Sequence, residues 1–271
     1  MPDAKLPHAQ GKPCWLDMFA ADQSAALAFY NKVFGWVGEP NSEFGGYAVL
    51  SLDGRAVAGI SPLMPDQPPQ PPAWNTYFAV DDIASVAERI GKLGGTKFVG
   101  PDEVPGTGKL VFAADPAGAP FGLWEAAPFP GFQAAMEPGA PVWFELETQQ
   151  GEASAEFYAA LLGVEAPTSP EMAGSYWIVT VGGEQAAGIY QDPELKMTPE
   201  LKMTEGKKEG PAGAPHWQPY FQVADADAAV AAALAAGASL VREAQDSPYG
   251  RFAKLRDPQG AELSVITAMP S

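Results

Sequence analysis

Between Cys14 and Trp36 the chain reads CWLDMFAADQSAALAFYNKVFGW. Residues Trp15–Ala20 alternate imperfectly and predict a strand. From Ser24 to Val33 the apolar positions Ala25, Leu27, Ala28, Phe29 and Val33 predict an amphipathic helix with one face for a sheet. Asp22 or Ser24 can cap its start, and Gly35 can stop it. Tyr47–Leu52 and Ala56–Ile60 then flank Asp53-Gly54, a strong hairpin signal, with Trp36–Glu39 a weaker strand before them. SPLMPDQPPQPPA reads as a stiff connector. After it Asn75–Val80 predicts a strand, Ile83–Leu93 a helix stopped by Gly94-Gly95, and Lys97–Val99, Leu110–Ala114 and Phe121–Glu125 three more strands. The turns between them are Pro105-Gly106-Thr107-Gly108 and Asp115-Pro116-Ala117-Gly118. Each unit therefore reads β-α-β-β-β.

The pattern then repeats. Trp15, Asp17, Phe29, Tyr30 and Gly35 meet Trp143, Glu145, Phe157, Tyr158 and Gly163. Trp74, Tyr77, Phe78, Val80 and Asp82 meet Trp217, Tyr220, Phe221, Val223 and Asp225, and Gly108, Asp115, Pro116 and Gly118 meet Gly250, Asp257, Pro258 and Gly260. Two domains are expected, at residues 12–127 and 142–269, joined by a linker at 128–141. The offset grows in the second domain because of an excursion between Ile189 and Trp217, where PELKMT occurs twice in a row before EGKKEG. A solvated loop and a lysine-bearing grip on an anionic partner both fit that segment.

Composition narrows the function classes. Among 271 residues, acids outnumber bases 33 to 16. No basic patch is expected to neutralise phosphates, so a nucleic-acid partner is not expected, and an anionic membrane would be repelled. The single cysteine, Cys14, allows no intramolecular disulfide and no thiolate cluster. The opening MPDAKLPHAQG lacks an apolar leader region, and no apolar run is long enough to span a bilayer, so a cytoplasmic protein is expected.

WLDMFAADQSAALAFYNKVFG, YFAVDDIASVAERIGKLGG and VFAADPAGAPFGLWEA, with their second-half counterparts, resemble the vicinal-oxygen-chelate superfamily of glyoxalases, bleomycin-resistance proteins and extradiol dioxygenases. The resemblance implies an α+β fold: two tandem domains, each built from two β-α-β-β-β modules that curl into an open, cup-shaped sheet. It also implies a divalent metal on the cup floor. The corresponding ligand positions are Trp15, Asn75, Gly122 and Ala58 or Gly59, then Trp143, Gln218, Ser264 and Ala187 or Gly188. Tryptophan offers only a donor and Gly122 no side chain, and Asn75 or Gln218 alone would hold a divalent ion hardly at all. The expectation is therefore no metal and no cofactor.

Strand periodicity puts Asp17 beside Trp15 and Glu145 beside Trp143 on the cup faces. The first pocket is expected to hold Trp15, Asp17, Asn75, Tyr77 and Trp124, and the second Trp143, Glu145, His216, Gln218 and Tyr220. Aromatic walls with a few polar groups suit a small organic ligand. The reading is a metal-independent small-molecule binder of the glyoxalase/bleomycin-resistance type. One alternative is a metal-free enzyme using Asp17 or Glu145 as general base. Another is a structural or regulatory scaffold whose cups are filled, with the acids bonded to neighbouring strands. Since tandem fusion supplies the module pairing, either a monomer or a homodimer is expected.

Overall fold

The computed structural model describes residues 8–63, 72–195 and 214–268. The leader, most of the proline-rich connector and nearly all of the PELKMT excursion lie outside them. In the first half the elements run β1 (Pro13–Ala20), α1 (Gln23–Phe34), β2 (Ala48–Leu52), β3 (Arg55–Pro62), β4 (Trp74–Ala79), α2 (Ile83–Lys92), β5 (Thr96–Val104), β6 (Gly108–Ala114) and β7 (Pro120–Ala126). The second half runs β8 (Pro141–Thr148), α3 (Gly151–Leu162), β9 (Tyr176–Val181), β10 (Glu184–Gln191), β11 (His216–Gln222), α4 (Ala226–Ala235), β12 (Ser239–Ser247), β13 (Gly250–Arg256) and β14 (Glu262–Ala268). Each half forms one mixed seven-stranded sheet, ordered β2-β3-β1-β4-β7-β6-β5 and β12-β13-β14-β11-β8-β10-β9. The fold is the expected pair of open α+β sheets.

Local chemistry explains the element ends. Asp22, Asp82 and Asp225 accept from the backbone N–H groups of Ala25, Ser85 and Ala228, capping α1, α2 and α4. Helix α3 has Gln150 at its cap, which makes no such bond; Gln191 of β10 instead accepts from Gly151 N–H at 3.2 Å. Asp53 and Gly54 both have positive φ, 50° and 77°, as a two-residue turn between twisted strands requires. The segment Trp36–Glu39 is not a strand. It makes one isolated bridge, Val37 to Ser51, and Pro40 lacks the N–H that a longer ladder would need. The first module of each half is therefore β-α-β-β, and only the second is β-α-β-β-β.

One face of each sheet is covered by helices, and the two covered faces share a core. Phe34 and Trp36 pack on Phe221, and Phe78 packs on Trp217, with centroids 5.0–5.2 Å apart. The halves also exchange hydrogen bonds. Tyr30 of α1 donates to Asp257 in the β13–β14 turn at 2.8 Å, and Ser154 of α3 donates to Asp115 in the β6–β7 turn at 3.2 Å. No helix among the described residues is long and apolar enough to cross a membrane.

Candidate functional site

The face of each sheet away from the helices lines a cup, and alternation along the strands decides what enters it. In the first half Asp17 of β1 pairs with Asn75 of β4 on one side and Gly59 of β3 on the other. The Asp17 carboxylate accepts from Asn75 Nδ2 at 3.0 Å, the Tyr77 hydroxyl at 3.1 Å and the Tyr47 hydroxyl at 3.4 Å. Trp15 Nε1 in turn donates to the Tyr47 hydroxyl at 2.8 Å. Burial raises the Asp17 pKa to about 6, against the opposing pull of these three donors. The Asp17 floor of the first cup is covered. Phe129 from the linker lies 5.0 Å from Trp15 and 6.1 Å from Trp124, edge-on to both rings, and Trp124 Nε1 donates to the Phe129 carbonyl. Trp15, Tyr77 and Trp124 are all less than a tenth exposed.

The second cup repeats the network and stays open. Glu145 of β8 accepts from the Tyr176 hydroxyl at 2.7 Å and the Tyr220 hydroxyl at 3.0 Å, one on each oxygen. Trp143 Nε1 donates to the Tyr176 hydroxyl at 3.2 Å. Burial raises the pKa of Glu145, the two tyrosines lower it, and the neighbouring Glu147 adds to the rise. A cleft of about 1710 Å³ runs over both halves: Trp143, Glu145, Tyr176, Tyr220 and Phe252 line it from the second, with Tyr249 at its lip, and Asn75, Phe98 and Phe112 line it from the first. No aromatic ring among the described residues lies across Trp143 as Phe129 lies across Trp15.

Beside this acid sits a charged group. Lys254 of β13 donates to Glu147 at 2.8 Å and to Glu262 of β14 at 2.8 Å; Arg256 pairs with Glu262 at 2.5 Å. His216 Nε2 stands 3.9 Å from Glu147 and 4.0 Å from Glu262. The carboxylates hold the Lys254 pKa above its usual value against the opposing effect of burial.

The sequence-predicted residues thus fall into two groups. Trp143, Glu145, His216 and Tyr220 line the open cleft, as does Asn75 from the first half. Trp15, Asp17, Tyr77 and Trp124 do come together, but beneath the linker. Gln218 is fully buried; with its amide oxygen toward Ser264 it accepts from Ser264 Oγ at 3.2 Å, Ser264 N–H at 2.9 Å and Leu263 N–H at 3.2 Å. Sequence reasoning missed Tyr47, Tyr176, Glu147, Lys254 and Glu262. Glu147 was within reach, two positions beyond Glu145 on the same strand face. Tyr47 and Tyr176 recur at nearly the offset of their modules but lie just ahead of or at the start of their strands, where no acid marks them. Cys14 is a free, fully buried thiol whose pKa burial pushes up.

The family's metal positions do not fit a divalent ion. The first cup offers Trp15, Asn75, Gly59 and Gly122; a Cβ at Gly59 would overlap the Tyr47 hydroxyl, and one at Gly122 would overlap the Tyr77 ring. In the second cup Gly188 seats the Tyr176 hydroxyl in the same way, and Gln218 and Ser264 are bonded to each other. Tyrosines occupy the space from which ligand side chains would project, and the indole N–H groups can only donate.

Two curled sheets with paired acid–tyrosine floors define a tandem cup protein. Residues 5–123 match the model of the Glyoxalase/Bleomycin resistance protein/Dioxygenase superfamily, and residues 143–266 match a Glyoxalase-like domain. The chain is similar to the proposed glyoxylase CFP32 of Mycobacterium tuberculosis, with 37% identity covering 97% of each chain. It is also similar to the anthracycline biosynthesis protein DnrV of Streptomyces peucetius, with 35% identity covering 95% of this chain and 94% of the relative. Among solved structures, the 2,3-dioxygenase LapB from Pseudomonas sp. KL28 superposes with a TM-score of 0.63 at 15% identity, covering 97% of this chain and 94% of that one. The Mn(II)-bound glyoxalase from Novosphingobium aromaticivorans gives 0.62 at 14%, covering 94% and 82%. The chain belongs to the glyoxalase/bleomycin resistance/dioxygenase superfamily, as a two-domain vicinal-oxygen-chelate member.

Proposed function

We propose that the protein is a metal-independent small-molecule-binding protein of the glyoxalase/bleomycin-resistance type, and that its ligand is held in the second cup. The observation that carries this reading is the open cleft around Glu145, where one carboxylate is gripped by two tyrosine hydroxyls among aromatic walls. Such a site suits a planar, largely apolar ligand with few polar groups. Similarity to a protein of anthracycline biosynthesis supports an aromatic ligand class. In the first cup Phe129 occupies the space between the tryptophans, so the filled-scaffold reading suits that half. The protein is expected to act as a monomer or homodimer in the cytoplasm, without nucleic-acid or membrane partners.

A metal-free enzyme is the second reading, favoured by the raised pKa of Glu145, which would let it take a proton from a bound carbon or oxygen acid. Asp17 is less suited to that role because the linker covers it. Native mass spectrometry with 1,8-dihydroxyanthraquinone tests the binding reading. One bound equivalent on the wild type, at least tenfold weaker binding on Glu145→Gln, and unchanged binding on Asp17→Asn are expected. Loss on Asp17→Asn with retention on Glu145→Gln would refute the assignment to the second cup. Conversion of the compound by the metal-free protein would favour the enzyme.

A further inference from the structure

The tandem repeat supplies an internal control for the charged group in the second cup. The repeat offsets place Glu147, His216, Lys254 and Glu262 on Phe19, Ala73, Phe112 and Pro120 of the first half. The same sheet therefore forms with four uncharged residues at these positions. Ion pairs taken out of water are poor stabilisers, because desolvation offsets most of their attraction, and apolar replacements are often neutral or better. Lys254 and Glu147 have side chains only 12% exposed, yet they line the cleft. The fold does not call for them there.

Their arrangement limits what they can receive. Glu147 and Glu262 carry two negative charges, and Lys254 and Arg256 two positive ones, so the group is balanced. His216 Nδ1–H donates to the Ala214 carbonyl at 2.9 Å, and the Gln218 amide nitrogen, in the orientation that satisfies Ser264, faces Nε2 at 3.3 Å. An ammonium has three N–H donors; the two Glu147 oxygens, at 3.0 and 2.8 Å, lie close enough together to share one, and Glu262 at 2.8 Å takes a second. One Lys254 donor is left, next to carboxylate lone pairs that can accept.

We propose that Lys254, with Glu147 and Glu262, is the specificity-determining head of the second cup, and that it reads an uncharged hydroxyl or carbonyl group on the ligand. A balanced donor–acceptor face gains nothing from a ligand charge of either sign, and a neutral oxygen function satisfies both of its halves. This rests on the reading of the second cup as the ligand site.

The test compares wild type with Glu147→Leu/Lys254→Met/Glu262→Leu. Fluorescence titrations use three probes: 1,8-dihydroxyanthraquinone, unsubstituted anthraquinone and anthraquinone-2-carboxylate. Wild type is expected to prefer the hydroxylated probe over the other two by about tenfold or more, the scale of one good hydrogen bond to a charged group. The triple variant is expected to lose that preference, keep its affinity for unsubstituted anthraquinone, and melt within about 3 °C of wild type or higher. A preference retained by the variant would overturn the proposal, as would a wild type that favours the carboxylate. If no probe binds either protein, the aromatic-ligand reading fails, and the melting comparison alone decides the cluster's role. In that case a variant melting more than about 10 °C lower marks the charges as structural and overturns the proposal, whereas an unchanged melt supports a non-structural role.

Discussion

Asp17 carries an unusual proton. It is 8% exposed, accepts three side-chain hydrogen bonds, and still has its pKa raised to about 6, because removal from water outweighs the donors. A carboxyl that binds its proton more tightly folded than unfolded makes folding take up a proton between about pH 4 and about pH 6. Stability contributed by this group is therefore present at the acid end and lost as pH rises through that window. Urea unfolding of wild type and Asp17→Asn isolates the effect, since the other raised carboxyls titrate in both proteins. The stability of wild type relative to the variant is expected to fall by about 2–3 kcal/mol between about pH 4 and about pH 7. A flat or rising difference would show that Asp17 is not desolvated. At this scale the strand period made much of the site readable: Trp15 with Asp17, Asn75 with Tyr77, and Trp143 with Glu145 do share cup faces. Tyr47, Tyr176 and Lys254 were not readable, because each reaches its acid across strands, and a one-dimensional pattern does not say which strands become neighbours.

The linker shows the same limit among elements. Proline and glycine around residues 128–141 mark a connection, and nothing in that pattern reveals that its aromatic residues finish the first cup. Phe132 is 6% exposed, stacks on Phe144 at 5.7 Å, and sits against Trp15; its N–H donates to the Cys14 carbonyl at 2.7 Å. Phe132→Ala is expected to destabilise the protein by about 3–5 kcal/mol in chemical denaturation, the usual range for emptying a buried phenylalanine site. A loss below about 1 kcal/mol would mean that the linker merely drapes over the sheet. The start of α1 was legible from Asp22, and Asp82 and Asp225 cap α2 and α4 by the same chemistry. The extent of β5 was not. The short apolar stretch Lys97–Val99 grew to Thr96–Val104, an edge strand whose Asp102 and Glu103 face water and hide the alternation.

Over the whole molecule, duplication has been followed by divergence of role. The Asp257 and Asp115 turns each receive a hydroxyl from the first helix of the opposite half, that of Tyr30 and that of Ser154, which ties the two sheets back to back. The Phe29-Tyr30 and Phe157-Tyr158 pairs announce helix packing in the sequence, but the crossing between halves emerges only once both halves are folded. With that frame fixed twice, one acid is covered by the linker while the other, with two tyrosines and a balanced charged group, faces a cleft. The most direct measurement is a crystal structure of the protein grown with 1,8-dihydroxyanthraquinone, with anomalous data collected for transition metals. The account predicts the compound in the second cup against Trp143, Glu145 and Lys254, and no anomalous peak at either floor. A metal bound among Trp143, Gln218, Gly188 and Ser264, or the compound seated at Asp17 with the second cup empty, would contradict it.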